Sequence, residues 1–409
     1  MRPVKSLLRV GWAILGMAAL LLGRPQQAEA QGGIEVSDIQ VAYRFGEQIT
    51  FQARIQASIG ITQASVLFRQ MDEQVTRVEP LALDQNGAGS FQYNAAQNVF
   101  PPFSTIVFWF QAALADGSTQ TSPVYNFHYD DNRFPWRQTA HGQITVHWYD
   151  GDEAFGQSAL DAARAGLAAV GQVLPLSLDA PLDVYVYANA DDLQGALFLG
   201  GKQWVGGHAD PALGVVMVAI APNPAQGIQM DTEIPHELAH VMLYRSLGAG
   251  YNRLPAWLNE GIAALVERYP KPDYANALTL ASRNNSLLPL ADLCDSFPPD
   301  AGRAYLAYAQ SQSFTRYLRD TYGTTGLTAL TKAYADGLDC ELGATRAFGL
   351  PLTQLDTRWR ESVLGQNVAG VALRDLAPYL LMMGLALFIP LWGVVTMMLA
   401  KHKEAHGFQ

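Results

Sequence analysis

The run Pro235-His236-Glu237-Leu238-Ala239-His240 sets two imidazoles four positions apart, with a carboxylate beside the first. On a helix, positions i and i+4 stand one turn apart on the same face, so both rings can reach a single tetrahedral ion. Glu237 is then placed to take a proton from a water activated there. The flanks predict a helix over about 232–247, with Asp231 or Thr232 as its cap, Pro235 in its first turn and Gly248 as its stop. Glu260 follows His240 by 20 positions, on a second predicted helix at about 255–268 that Pro255 opens. His236, His240 and Glu260 supply three donors and leave one tetrahedral position open. That is the arrangement of a catalytic rather than a structural zinc, one ion per chain.

Around this pair of helices the pattern is mixed. Residues 144–148, 182–187 and 215–220 read as strands, and 158–173 as an amphipathic helix. Further helices are predicted at about 301–321, 325–336 and 354–363, so the expectation is an α+β unit. The strand at 215–220, just ahead of the metal helix, is expected to be a sheet edge that holds extended substrate. His128, His147 and His208 do not rise above ordinary packing or solvated residues.

The preceding region reads differently. Residues 39–43, 49–53, 64–68, 105–112 and 124–128 are rich in β-branched and aromatic residues, separated by turn residues such as Asn86-Gly87 and Asp116-Gly117-Ser118. An all-β immunoglobulin-like or fibronectin-III-like sandwich is expected over 31–133, without the Cys…Trp…Cys core of true immunoglobulin domains. No catalytic constellation is visible in it. Its expected role is a support or a docking surface for a protein or cell-wall partner.

The two ends carry targeting signals. Arg2, Lys5 and Arg9 precede an apolar run from Val10 to Gly23, and Ala28-Glu29-Ala30 has a small-x-small cleavage pattern, so 1–30 is read as a signal peptide. Residues 376–400 are uncharged over 25 positions and are read as one transmembrane helix. Lys401 and Lys403 follow it, which puts a tail at 401–409 in the cytoplasm and the body on the extracytoplasmic side of the cell membrane. In that oxidising compartment, a bridge between Cys294 and Cys340 is favoured. The formal net charge is -10, and residues 31–370 carry 20 basic against 34 acidic side chains. Such a body repels phosphate backbones, and a nucleic-acid partner is excluded.

His236-Glu-Leu-Ala-His240 with Leu254-Pro-Ala-Trp-Leu-Asn-Glu-Gly261 resembles the gluzincin metallopeptidases, and within them the exported bacterial peptidase MA-like family. The similarity continues through Ala307-Tyr-Ala-Gln-Ser311 and Trp359-Arg360, covering roughly 138–365. It implies a thermolysin-like fold, a peptide or protein substrate, His236, His240 and Glu260 as zinc ligands, and Glu237 as general base. A tyrosine or histidine usually assists the oxyanion in that clan. Tyr308 is the candidate here, on a polar stripe with Ser311, Gln312 and Thr315, and Tyr305 competes for the role. One departure stands out: the clan places an Asp four positions after the ligand Glu to orient the first His, and this chain has Ala264. The third His of a metzincin is also missing, since Leu243 and Ser246 follow His240 at the positions that would be Gly and His. The expected protein is therefore a membrane-anchored zinc metallopeptidase. The alternative is a catalytically silent, membrane-tethered scaffold that retains the zinc fold.

Overall fold

A computed structural model describes residues 33–176, 178–197, 206–269, 271–366 and 368–406. The expected signal segment 1–30 lies outside them, as do positions 407–409 of the expected tail. The described chain divides into two units. One comprises Gln48–Asn94 and Thr105–Phe127 with the chain up to Tyr43. The other comprises Arg44–Glu47, Ala95–Ser104 and the chain from His128 onward.

The first unit is built from β1 (Glu35–Arg44), β2 (Gln48–Gln56), β3 (Ile61–Gln70), β4 (Arg77–Pro80), β5 (Ala88–Asn94), β6 (Ser104–Leu114), β7 (Thr119–Thr121) and β8 (Tyr125–Tyr129). The strand-like runs of the sequence fall on β1, β2, β3, β6 and β8. Ile49, Phe51, Ala53 and Ile55 are buried at every second position of β2, so that strand has one core face. β1, β2 and β5 form one sheet, while β4, β3, β6 and β7 form another in which β8 also pairs with β6. Phe51 meets Phe68 of β3 at 4.9 Å and Phe108 of β6 at 5.3 Å, so the two sheets share an aromatic core.

The second unit continues with β9 (Arg137–His141), β10 (Ile144–Trp148), α1 (Glu153–Val173), β11 (Leu182–Tyr187), α2 (Ala190–Leu197), β12 (Gly207–Asp210) and β13 (Val215–Ala219). Helices follow: α3 (Gln226–Leu247), α4 (Ala256–Val266), α5 (Pro272–Arg283), α6 (Ala301–Ala335), α7 (Cys340–Phe348), α8 (Leu352–Ser362) and α9 (Val368–His406). Gly323, at φ 73°, interrupts α6 where two helices are expected. The sheet order is β12-β13-β11-β10-β9, parallel at β10–β11 and β11–β13 and antiparallel at both ends. This corrects one expectation. The strand at 215–220 is interior, because the short β12 pairs with its outer side and takes the edge position.

α3 starts at Gln226, before the expected 232, and neither Asp231 nor Thr232 caps it. Thr232 instead donates its hydroxyl to the carbonyl of Ile228 inside the helix, at 2.8 Å. Pro235 sits mid-helix rather than in the first turn. Its missing N–H leaves the carbonyl of Asp231 without a helical donor, and the backbone N–H of Arg268 fills that place at 3.0 Å. Gly166 of α1 faces the proline so closely that a Cβ there would stand 3.0 Å from the Pro235 Cα. On one side Ile234, Leu238 and Val241 join the core under the sheet; on the other Ala239, Met242 and Leu243 join the core of the helical half. A helix buried on both sides explains why its sequence has no clean polar face.

α4 packs as tightly on α6. A Cβ at Gly261 would lie 2.0 Å from the Thr315 hydroxyl oxygen. Ser311, Gln312 and Thr315 are all buried, and Gln312 donates to the carbonyl of Ala264 at 3.2 Å. The expected polar stripe therefore faces α4. Cys294 and Cys340 form a disulfide. Within α9, Leu376–Met398 has a mean hydropathy of 2.1 and none of it is buried, so by length and composition it can cross a membrane.

Candidate metal centre

α3 presents His236 and His240 one turn apart, with ring centroids 5.2 Å from each other. α4 crosses in front of them and brings Glu260. Its Oε2 lies 3.3 Å from His236 Nε2 and 3.9 Å from His240 Nε2. One donor atom from each of the three residues falls within 4.8 Å of the others. The remaining ring nitrogens face away from this point and are held. His236 Nδ1–H donates to Glu267 Oε1 at 2.8 Å, and His240 Nδ1–H donates to Asn259 Oδ1 at 3.1 Å. Asn259 in turn donates from Nδ2 to the Tyr251 hydroxyl at 3.1 Å. With both Nδ1 positions protonated, both Nε2 lone pairs converge beside the Glu260 carboxylate. Two imidazole lone pairs and a carboxylate, all nearly buried, are a donor set that suits zinc.

The electrostatics follow from burial. Glu237 is pushed up to about 8, chiefly by desolvation, with Glu260 and Glu233 adding repulsion and His236 opposing it. Burial also works against charge on His236. Hydrogen bonds that Glu260 and Glu267 accept from the imidazole outweigh it, and the pKa ends well above the ordinary imidazole value. His240, with no carboxylate bonded to it, is lowered by burial. Acidic surroundings that draw a proton to His236 draw a metal cation as well.

Two cavities meet over this group. The larger, of about 400 Å³, is walled by Tyr274, Tyr305, Tyr308 and the small Ala301 and Ala304, with Glu233 and Lys271 also lining it. Lys271 Nζ stands 3.9 Å from Glu233. The second, of about 350 Å³, is lined by His208, Ala209, Pro211 and Tyr251 together with the three candidate ligands. Gly207 on edge strand β12 touches both cavities, and a Cβ there would stand 2.6 Å from Glu237 Oε1. The glycine is what lets the strand edge approach the carboxylate.

His236, Glu237, His240 and Glu260 come together. Tyr308 lines both cavities and packs edge-on against Phe297 at 4.8 Å, whereas Tyr305 lines only the larger one. Burial raises the Tyr308 hydroxyl, which therefore keeps its proton at neutral pH. Glu267, Asn259, Tyr251 and Gly207 were missed by sequence reasoning. The only signal for Asn259 was its place beside Glu260.

Residues 162–365 match the Peptidase MA superfamily. That match supports a peptidase MA-like unit, peptidase-like in function and typically metal-dependent, with a peptide or protein as substrate. No curated protein matches the chain. Among solved structures, one described as "Myokine structure" shares 9% identity over 23% of this chain and 95% of its own, with a TM-score of 0.19. A carbohydrate-binding module family 56 β-1,3-glucan binding domain shares 13% over 23% of this chain and 98% of its own, at 0.17. OgpA from Akkermansia muciniphila shares 16% over 25% of this chain and 28% of its own, at 0.20. Similarity at these scores carries no argument.

Proposed function

We propose that the chain is a membrane-anchored, zinc-dependent metallopeptidase of gluzincin type, with His236, His240 and Glu260 as ligands of one zinc ion. The observation that carries this reading is the convergence of both Nε2 lone pairs and the Glu260 carboxylate, with Glu237 at the same point. When bound, zinc supplies Lewis acidity toward a carbonyl oxygen and lowers the pKa of water. Glu237 accepts a proton from the attacking water and returns it to the leaving amine. The Tyr308 hydroxyl donates to the carbonyl oxygen as negative charge builds there. The outer edge of β12 pairs with an extended substrate backbone, and the larger cavity takes one substrate side chain.

The remaining parts fit an exported enzyme. Residues 1–30 act as a signal peptide, and 31–133 form an immunoglobulin-like sandwich that docks a protein or cell-wall partner. Residues 138–365 are the peptidase, 376–400 cross the cell membrane once, and 401–409 are the cytoplasmic tail. The reading is tested by incubating the full-length chain in detergent micelles with a mixed peptide library. Cleavage that a chelator abolishes and added zinc restores supports it. A chain that holds one zinc yet cleaves nothing is the silent scaffold instead.

A further inference from the structure

We propose that Glu267 is the positioning residue of the metal centre, holding His236 through Nδ1–H so that Nε2 faces the metal position and gains basicity. The inference rests on the metal-centre reading above but not on turnover. Glu267 lies at the C-terminal end of α4, where the backbone leaves the helix at φ −57° and ψ 128°. That turn brings its carboxylate across the helix end to the far side of the imidazole. One helix therefore grips His236 by both nitrogens: Glu260 Oε2 stands 3.3 Å from Nε2, and Glu267 Oε1 stands 2.8 Å from Nδ1.

The surroundings argue for a role beyond packing. The Glu267 side chain is 1% exposed, and its Oε2 has no hydrogen-bond partner among the described residues. A carboxylate buried in this state is costly, and a neutral side chain of similar size would fill the place at lower cost. What a carboxylate adds is charge behind the ring. A ligand imidazole whose second nitrogen donates to a carboxylate is fixed in tautomer and orientation and becomes a better donor. His240 lacks this: its Nδ1 is held by the neutral amide of Asn259, with the Tyr251 hydroxyl 3.4 Å away. The two histidines are unequal ligands, and His236 is the anchoring one.

The test compares the full-length chain with Glu267→Gln, which keeps size and an acceptor but removes the charge. Zinc affinity is read by competition with a chromophoric chelator, and the visible spectrum is recorded after loading cobalt(II). Zinc binding is expected to weaken roughly 10- to 100-fold, with shifted cobalt bands. If Glu267→Gln does not fold, Glu267→Asp takes its place, retaining charge but withdrawing it by one methylene. A zinc affinity within threefold of wild type, or an unchanged cobalt spectrum, overturns the proposal. If the wild type itself binds no zinc, the metal-centre reading falls. Tight wild-type binding with an unaffected variant removes only the role given to Glu267.

Discussion

Replacing Cys294 and Cys340 with serine opens a bridge between positions 46 residues apart. Restoring the chain entropy of a loop of that length destabilises the native state by about 4 kcal/mol at 25 °C. For a unit of this size each kcal/mol lowers the midpoint by about 2–4 °C, so the double variant should melt about 8–16 °C below wild type. The bridge also has a local effect. The carbonyl of Cys294 accepts the N–H of Ala256, the first residue of α4, at 2.8 Å. α4 carries Asn259 and Glu260, so loosening this anchor should weaken zinc binding along with global stability. The assay is calorimetry of the full-length chain in micelles, alongside wild type with and without a reductant. A variant that melts within 2 °C of wild type would refute the loop-entropy argument, and an unchanged zinc affinity by chelator competition would refute the coupling to α4.

Trp359→Ala removes a fully buried ring that packs on Phe314 at 5.7 Å and donates to the Ser313 hydroxyl at 3.2 Å. It should cost about 3–5 kcal/mol in urea unfolding, and a loss under about 1 kcal/mol would contradict the packing described. Gly207→Val drives a side chain into the space of Glu237 Oε1. Turnover should fall at least about tenfold while bound zinc, measured by mass spectrometry, stays constant. In the β unit, a 2.6 Å hydrogen bond from Arg77 holds Glu73 below the ordinary carboxylate value. Because the folded pKa is the lower one, this stabilisation is present above the unfolded value and is lost as pH falls through the folded value. Glu73→Gln should therefore lower stability by about 0.2–1 kcal/mol at neutral pH and leave it unchanged in strong acid.

The candidate metal ligands could be picked out in the sequence because the chemistry proposed for them depends on spacing that a helix enforces. His236 and His240 need only be one turn apart, and Glu260 needs only a second helix across from them. The strands of the β unit were legible for a similar reason, since period-two burial shows as alternation of residue type. Other features depended on tertiary contacts. β12 is Gly207-His-Ala-Asp210, a run with no β-branched residue, and it becomes an edge strand only because β13 offers it a partner. Pro235 looked like a first-turn residue because nothing local shows that Arg268 will satisfy the carbonyl it frees. The stripe of Ser311, Gln312 and Thr315 showed as polar in the sequence but not as buried, because its burial depends on Gly261, 50 residues earlier in the chain than Ser311. Glu267 was hidden for a different reason: a side chain beyond a helix end has no periodicity to betray which way it turns.

In the proposed mechanism Glu237 drives peptide hydrolysis at a centre held by His236, His240 and Glu260. The most direct measurement compares wild type with Glu237→Gln, both full-length and both shown to hold one zinc, on the same peptide library read by mass spectrometry. Wild type is expected to cleave, and the variant to retain its zinc while losing cleavage by at least about a hundredfold. Equal cleavage by both chains, or none by the zinc-loaded wild type, would contradict the account.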